Sequence, residues 1–194
     1  MVFSPAPTGI LTPGSEFTVS ELSAMALDGV VVKVFGEAFR AVSEPESPAL
    51  RAAALAHQIP AGLAARAALA RLCAAWVYGC APPPAIISVA ISSRHRSTAL
   101  PPRSGCVLHE VHLEEFDVVR LGGALVTTAV RTAVDVAIHE QPASARAVLA
   151  AMAVHPELGC PLGRVRTALA NTVHLPGKRR AQLLVENMLG LGGT

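Results

Sequence analysis

Ala74-Ala-Trp-Val-Tyr-Gly79, then Ile86-Ile-Ser-Val-Ala-Ile91, Cys106-Val-Leu-His-Glu-Val-His-Leu113 and Val126-Thr-Thr-Ala-Val-Arg-Thr-Ala-Val-Asp135 decide the fold of this 194-residue chain. The first segment reads as a helix end, because Gly79 can take the left-handed conformation that closes a helix. The second and third alternate well enough for strands and are rich in branched residues. The last carries apolar residues at helical spacing, and Pro82 to Pro84 force an extended exit between helix and first strand.

Working outward, Leu63, Leu69, Cys73, Trp76 and Val77 predict one helix over 63–78, preceded by another from Pro48 to about His57. Ser43-Glu-Pro-Glu-Ser-Pro48 is polar and proline-bearing, so it reads as a linker. Ahead of it, Thr18 sits three residues before Glu21, the spacing of a capping box, and Asp28-Gly29 stops the helix so begun. Val30 to Phe35 and Ala38 to Val42, joined by Gly36-Glu37, read as a β-hairpin. Downstream, Asp117 to Val126 supplies one or two short strands turning at Gly122-Gly123, and helices follow over 127–139, 144–154, 161–173 and 176–189. The expected class is α+β. Residues 1–43 form a short helix plus hairpin, and residues 49–190 form a helical domain around a small, largely antiparallel sheet.

Hydrophobic residues make up 52% of the chain and charged residues 15%, which gives ample core material and excludes a disordered protein. Much of that hydrophobicity is alanine rather than aromatic, pointing to closely packed helices rather than broad sheets. The net charge is only +2, but residues 1–50 hold six acids against two bases, so basic character is confined to the rest. No segment is long and apolar enough to span a bilayer, and Met1 to Gly14 lacks a basic start ahead of an apolar run, so a cytoplasmic, non-membrane protein is expected. Cys73, Cys80, Cys106 and Cys160 form no CxxC pair and read as reduced thiols.

In their order, these segments resemble the AbiEi-type antitoxins of type IV toxin–antitoxin pairs, in the short form found in actinobacteria. The likeness rests on the Ala74–Gly79 helix end, the strand 86–91, the basic loop Arg94-His-Arg96, Val111-His112, Asp117-Val-Val119 and the helix carrying Arg131-Thr-Ala-Val-Asp135. Pro176-Gly-Lys-Arg-Arg-Ala181 and Thr12-Pro-Gly14 extend it over most of the chain. The resemblance implies a transcriptional regulator that binds its own operator DNA through an N-terminal winged helix. It also implies a toxin of the nucleotidyltransferase type as functional partner. Two features depart from that pattern. One helix alone precedes the hairpin, so the helix that would enter the major groove is missing and the module reads as a truncated winged helix. The module is also net acidic, which opposes phosphate binding.

Arg94, His95, Arg96 and Arg103 form one basic cluster, and Arg164, Arg166, Lys178, Arg179 and Arg180 a second. Together they are the candidate DNA-binding residues, because several cations on one face can follow a phosphate backbone. Lys178 to Arg180 fall in the first turn of a helix, where cations oppose the helix dipole, a cost that an anionic partner would offset. Arg131 and Asp135, at i and i+4, read as a structural ion pair orienting their helix. His109 and His112 tempt a metal reading, but strand alternation sends them to opposite faces, with Val107, Val111 and Leu113 inward. Trp76 and Tyr78 read as core. No GxSxG, GxxxxGK[ST], HExxH or GxGxxG occurs, so no catalytic residue, metal or cofactor is expected; an enzyme would have to use Asp135, Glu110 and His112.

The expectation is thus a non-catalytic, antitoxin-like transcriptional regulator. The alternative is a family member without DNA binding that acts by protein–protein interaction or as a homodimer.

Overall fold

Two sheets, one of three strands and one of five, organise the chain in the computed structural model, which describes residues 9–14, 16–94, 100–102, 104–172 and 175–191. The smaller sheet is built from β1 (Ile10–Leu11), β2 (Val31–Phe35) and β3 (Ala38–Ala41) in the order β1-β3-β2, with α1 (Val19–Leu27) between its first two strands. Thr18 and Glu21 form the capping box: the Glu21 amide donates to Thr18 Oγ1 at 3.2 Å and the Thr18 amide donates to Glu21 Oε2 at 2.7 Å. Leu22 of α1 packs on Val31 and Phe39, which closes a small separate core. Sequence reading missed β1, whose two residues are too few for any periodicity to register.

α2 (Pro48–Ala56) links this sheet to the rest, with Ser47 as its N-cap and proline in its first turn. Phe35 reaches across to Trp76, ring centroids 5.5 Å apart. At the hairpin turn Gly36 has φ +54°, and a Cβ there would lie 2.8 Å from Gln58 Nε2.

The expected helix over 63–78 is three elements: α3 (Ala61–Ala64), β4 (Ala68–Leu69) and α4 (Arg71–Val77). Ala68 and Leu69, each at most 1% exposed, pair with β5 (Ile87–Ser92) on one side and β8 (Ala124–Thr127) on the other. Pairing on both edges outweighs the helix preference of alanine, which is worth only a few tenths of a kcal/mol per residue. The switch from strand to helix falls on Arg71, whose φ of +53° is the sole positive value at a non-glycine among the described residues.

The larger sheet runs β6-β5-β4-β8-β7, with β6 (Cys106–Val111) and β7 (Val118–Leu121) at its edges. β4 with β5 and β7 with β8 are antiparallel, but β5 with β6 and β4 with β8 are parallel. The α+β class stands, while the sheet is evenly mixed rather than largely antiparallel. Alternation reports which face a side chain takes and says nothing of strand direction. Register on β6 also differs from expectation: Cys106 and Leu108 pack on the core opposite Ile87 and Val89, and Val107 is 40% exposed. A one-residue slip exchanges the faces of a strand.

α5 (Ala129–His139) touches α4, α6 (Pro142–Val154), α7 (Leu162–Asn171) and α8 (Lys178–Leu191), so it is the hub of the helical layer. No described helix is long and apolar enough to cross a membrane.

The β7–β8 turn supplies a test. A Cβ on Gly122, at φ +53°, would lie 1.9 Å from the carbonyl oxygen of Ala49, whereas nothing lies within 4 Å of one on Gly123, at φ +82°. Gly123→Ala should cost about 1–2 kcal/mol of stability from left-handed strain, and Gly122→Ala at least about 3 because α2 must also move. Urea unfolding of the two variants measures the difference.

Candidate functional site

Of the six described cations expected to meet DNA, four are bonded within the fold. Lys178 Nζ donates to the carbonyls of Ala170, at 3.0 Å, and Thr172, at the C-terminal end of α7. Arg180 Nη2 donates to Ile138 and Glu140 carbonyls, at 2.8 and 3.2 Å, at the end of α5. Arg164 Nη1 donates to the Gly159 carbonyl at 3.0 Å. The Lys178 and Arg180 placements are favourable, since the last turn of a helix leaves unpaired carbonyls and carries the negative end of the dipole. They remove the apparent conflict of cations in the first turn of α8. Arg94 pairs with Glu114 at 3.3 Å on the surface. Arg166 and Arg179 are exposed. His95, Arg96 and Arg103 lie outside the described residues. Arg94 lies in a shallow hollow with Glu114 and Glu115, and Arg164 in the main cleft.

Arg131 anchors that cleft. Its Nε is 3.1 Å from both carboxylate oxygens of Asp135, and its Nη1 donates to Asp117 Oδ2 at 2.7 Å and to the His112 carbonyl at 2.9 Å. One guanidinium therefore ties the exit of β6, the 3-10 turn Glu115–Asp117 and α5 together. Asp117 is itself fixed, accepting from the Glu114 amide at 3.1 Å. Burial raises the Asp135 carboxyl above its ordinary pKa despite the opposing pull of Arg131. The pair orients backbone, tying α5 to the β6 exit and the 3-10 turn.

The cleft lies between β6, α5 and α7 and encloses about 1260 Å³. Arg71, His109 and His139 border it. Arg71 is half-buried, and burial lowers its pKa against the attraction of Asp135 and Glu140. It makes no hydrogen bond or ion pair to a described residue. His109 Nε2 is buried without a hydrogen-bond partner. Burial, then the field of Arg71, lowers the His109 pKa. His139 stands at the mouth of the cleft; burial of part of its ring, then Arg71, His109, Arg131 and Arg180, bring its pKa down to about 4.

Asp135, Glu110 and His112 all border this cleft, although Asp135 is held by Arg131 and the His112 ring by Glu114, at 2.6 Å. Among the described residues no three His, Cys, Asp or Glu side chains are placed to hold a metal ion. Trp76 is 4% exposed in the core, and the Tyr78 hydroxyl donates to the Thr127 carbonyl at 2.8 Å. Cys73 and Cys160 are buried free thiols whose pKa burial raises to about 11.

Sequence reading missed Arg71 and His139. Arg71 lay inside an expected helix, and no local pattern marks a strand two residues long. His139 was placed at its helix end, but its neighbours come from four separate elements.

Two outcomes follow. Arg131→Met leaves Asp135 buried without its partner and should cost about 3–5 kcal/mol in urea unfolding, with most of it recovered in Arg131→Met/Asp135→Leu. His139 takes up a proton in the unfolded chain near the usual 6.5 but in the folded chain only near 4. Stability should therefore be undiminished above pH 6.5 and fall as pH drops from there toward 4, with His109 acting in the same direction. His139→Gln should lose less between pH 7 and pH 5 than the parent chain, measured by the same unfolding. Compared with known proteins, the chain matches no protein-family model and no curated protein.

Proposed function

We propose that this chain is a regulatory protein of the antitoxin type that works through contact with another protein chain rather than by reading DNA. The observation that carries this reading is the commitment of Lys178, Arg180, Arg164 and Arg131 to carbonyls and carboxylates of their own fold. A phosphate track needs cations free to displace counterions. The N-terminal module offers none on α1, whose charged side chain is Glu21. That module does expose apolar side chains on its sheet: Val30 at 54%, Val42 at 51% and Val32 at 40%. Val30 and Val32 alternate with the inward Val31, and Val42 bonds opposite Val30, so the three share the outer face of the smaller sheet. A second copy of the chain, or the toxin that the resemblance implies, suits such a face.

Operator binding is the second reading, favoured by one observation. β1 pairs with β3, so the module has a strand, a helix and a hairpin returning beside that strand, as in a winged helix.

Fluorescence anisotropy with the DNA upstream of its own gene separates the two. Protein contact predicts weak binding with a log–log salt slope no steeper than about −2, the value for roughly two phosphate contacts. Sedimentation of the parent chain, alone and with the product of the neighbouring gene, should show a complex that Val30→Lys/Val42→Lys abolishes. Tight DNA binding with a steep salt slope, beside an unaltered monomer, would overturn the proposal.

A further inference from the structure

Unlike the exposed Arg146, Arg166 and Arg179, Arg71 is a partly buried cation that forms no hydrogen bond or ion pair among the described residues. Its guanidinium carries five N–H donors in a planar fork matched to oxyanions. Here it is half-buried with no bond to a described residue. Its backbone is in the left-handed region, at φ +53°. Strain of this kind, about 1–3 kcal/mol, collects at ligand sites where surrounding structure holds it in place. Asp135 and Glu140 attract Arg71, yet both lie beyond ion-pair reach, and Asp135 is already gripped by Arg131. Beside Arg71, His109 has a buried ring nitrogen without a partner, and His139 borders the same space. Three polar side chains from α4, β6 and α5 thus border one cavity, with the buried His109 Nε2 lacking a partner and Arg71 forming no bond to a described residue.

Leu108, Val134, Ile138 and Leu158 give the cleft apolar walls, while Glu110, Asp117 and Asp135 also border it, with both Asp117 and Asp135 held by Arg131. At about 1260 Å³ it exceeds the ~300–1,000 Å³ typical of small-molecule sites. An apolar cavity with a few converging polar groups is the ordinary design of such a site.

We propose that this cleft binds a small organic phosphate, with Arg71 gripping the phosphate oxygens in a bidentate fork, His109 and His139 donating beside it, and the apolar walls taking the organic body. Phosphate fits better than carboxylate because Arg71 faces two imidazoles that its own charge helps to keep neutral. A monoanion would offset Arg71 alone. A dianion reverses the local field, so both rings can take up protons and donate to it. The site is independent of the valine face on the N-terminal sheet, so either can fail without the other.

The probe is inorganic phosphate, titrated into the full chain at constant ionic strength, with the imidazole resonances of His109 and His139 followed by NMR. The expected result is saturable movement of both, with each ring protonating at higher pH when phosphate is bound. Arg71→Asn, which keeps a residue tolerant of the left-handed region, should weaken binding at least about tenfold, and Arg166→Gln should leave it unchanged. Should Arg71→Asn fail to fold, His139→Gln serves in its place, with weaker binding expected. Chloride or acetate moving the rings as far as phosphate does would overturn the proposal, as would unsaturable shifts or equal binding by Arg71→Asn.

Discussion

The constraint on which this structure depends is the disposal of helix C-terminal carbonyls inside a small, alanine-rich fold. Each helix ends with carbonyls that no amide of its own can reach, and here several ends are packed where water cannot fully serve them. Arg51 answers the carbonyl of Trp76 at the end of α4, Arg180 those of Ile138 and Glu140 after α5, and Lys178 those of Ala170 and Thr172 after α7. Arg51 is 25 residues from its acceptor, and Arg180 42 from Ile138. Among the cations that look like a nucleic-acid surface in one dimension, Arg180 is thus a long-range fastener in three, and Lys178 and Arg164 fasten segments nearer in the chain.

The same logic explains the cleft. Arg131 closes the gap between the sheet and the helical layer by holding Asp135, Asp117 and the His112 carbonyl together. Breaking that junction would release the β6 exit and the 3-10 turn at once. Because both acids are drawn to Arg131, neither is left to satisfy Arg71, although Asp135 still attracts it. The strand at Ala68–Leu69 then delivers Arg71 to the cavity with its donors unpaired, at the point where the chain changes from extended to helical. The arrangement of the cleft is a consequence of the two-residue strand together with the diversion of the carboxylates.

Much of the fold was legible in the sequence wherever a signal was local. The Thr18–Glu21 cap, the Gly36-Glu37 hairpin, the Gly122-Gly123 turn and the helix from Pro48 each rest on neighbours within a few residues. The family resemblance followed the order of such segments. What escaped depends on contacts distant in the chain: β1 exists through β3, and β4 through β5 and β8. Strand direction was hidden because alternation is the same in parallel and antiparallel pairs. The carbonyl partners of Lys178, Arg180 and Arg164 were hidden because no sequence pattern marks which carbonyl a cation will reach. The cleft was least legible, since α4, β6 and α5 meet there only once the helix of 63–78 is broken.

The fold bonds several cations to its own carbonyls and carboxylates, exposes valines on its smaller sheet and leaves the partly buried Arg71 beside a cavity without a hydrogen bond or ion pair among the described residues. The central claim is that difference between Arg71 and its fellows, and arginine side-chain NMR tests it most directly. Solvent exchange of the Nε–H of Arg131, bonded to Asp135, should be slow, and that of Arg71 fast in the absence of ligand. Equal protection of the two would mean that Arg71 is already engaged by the fold, and would contradict the account.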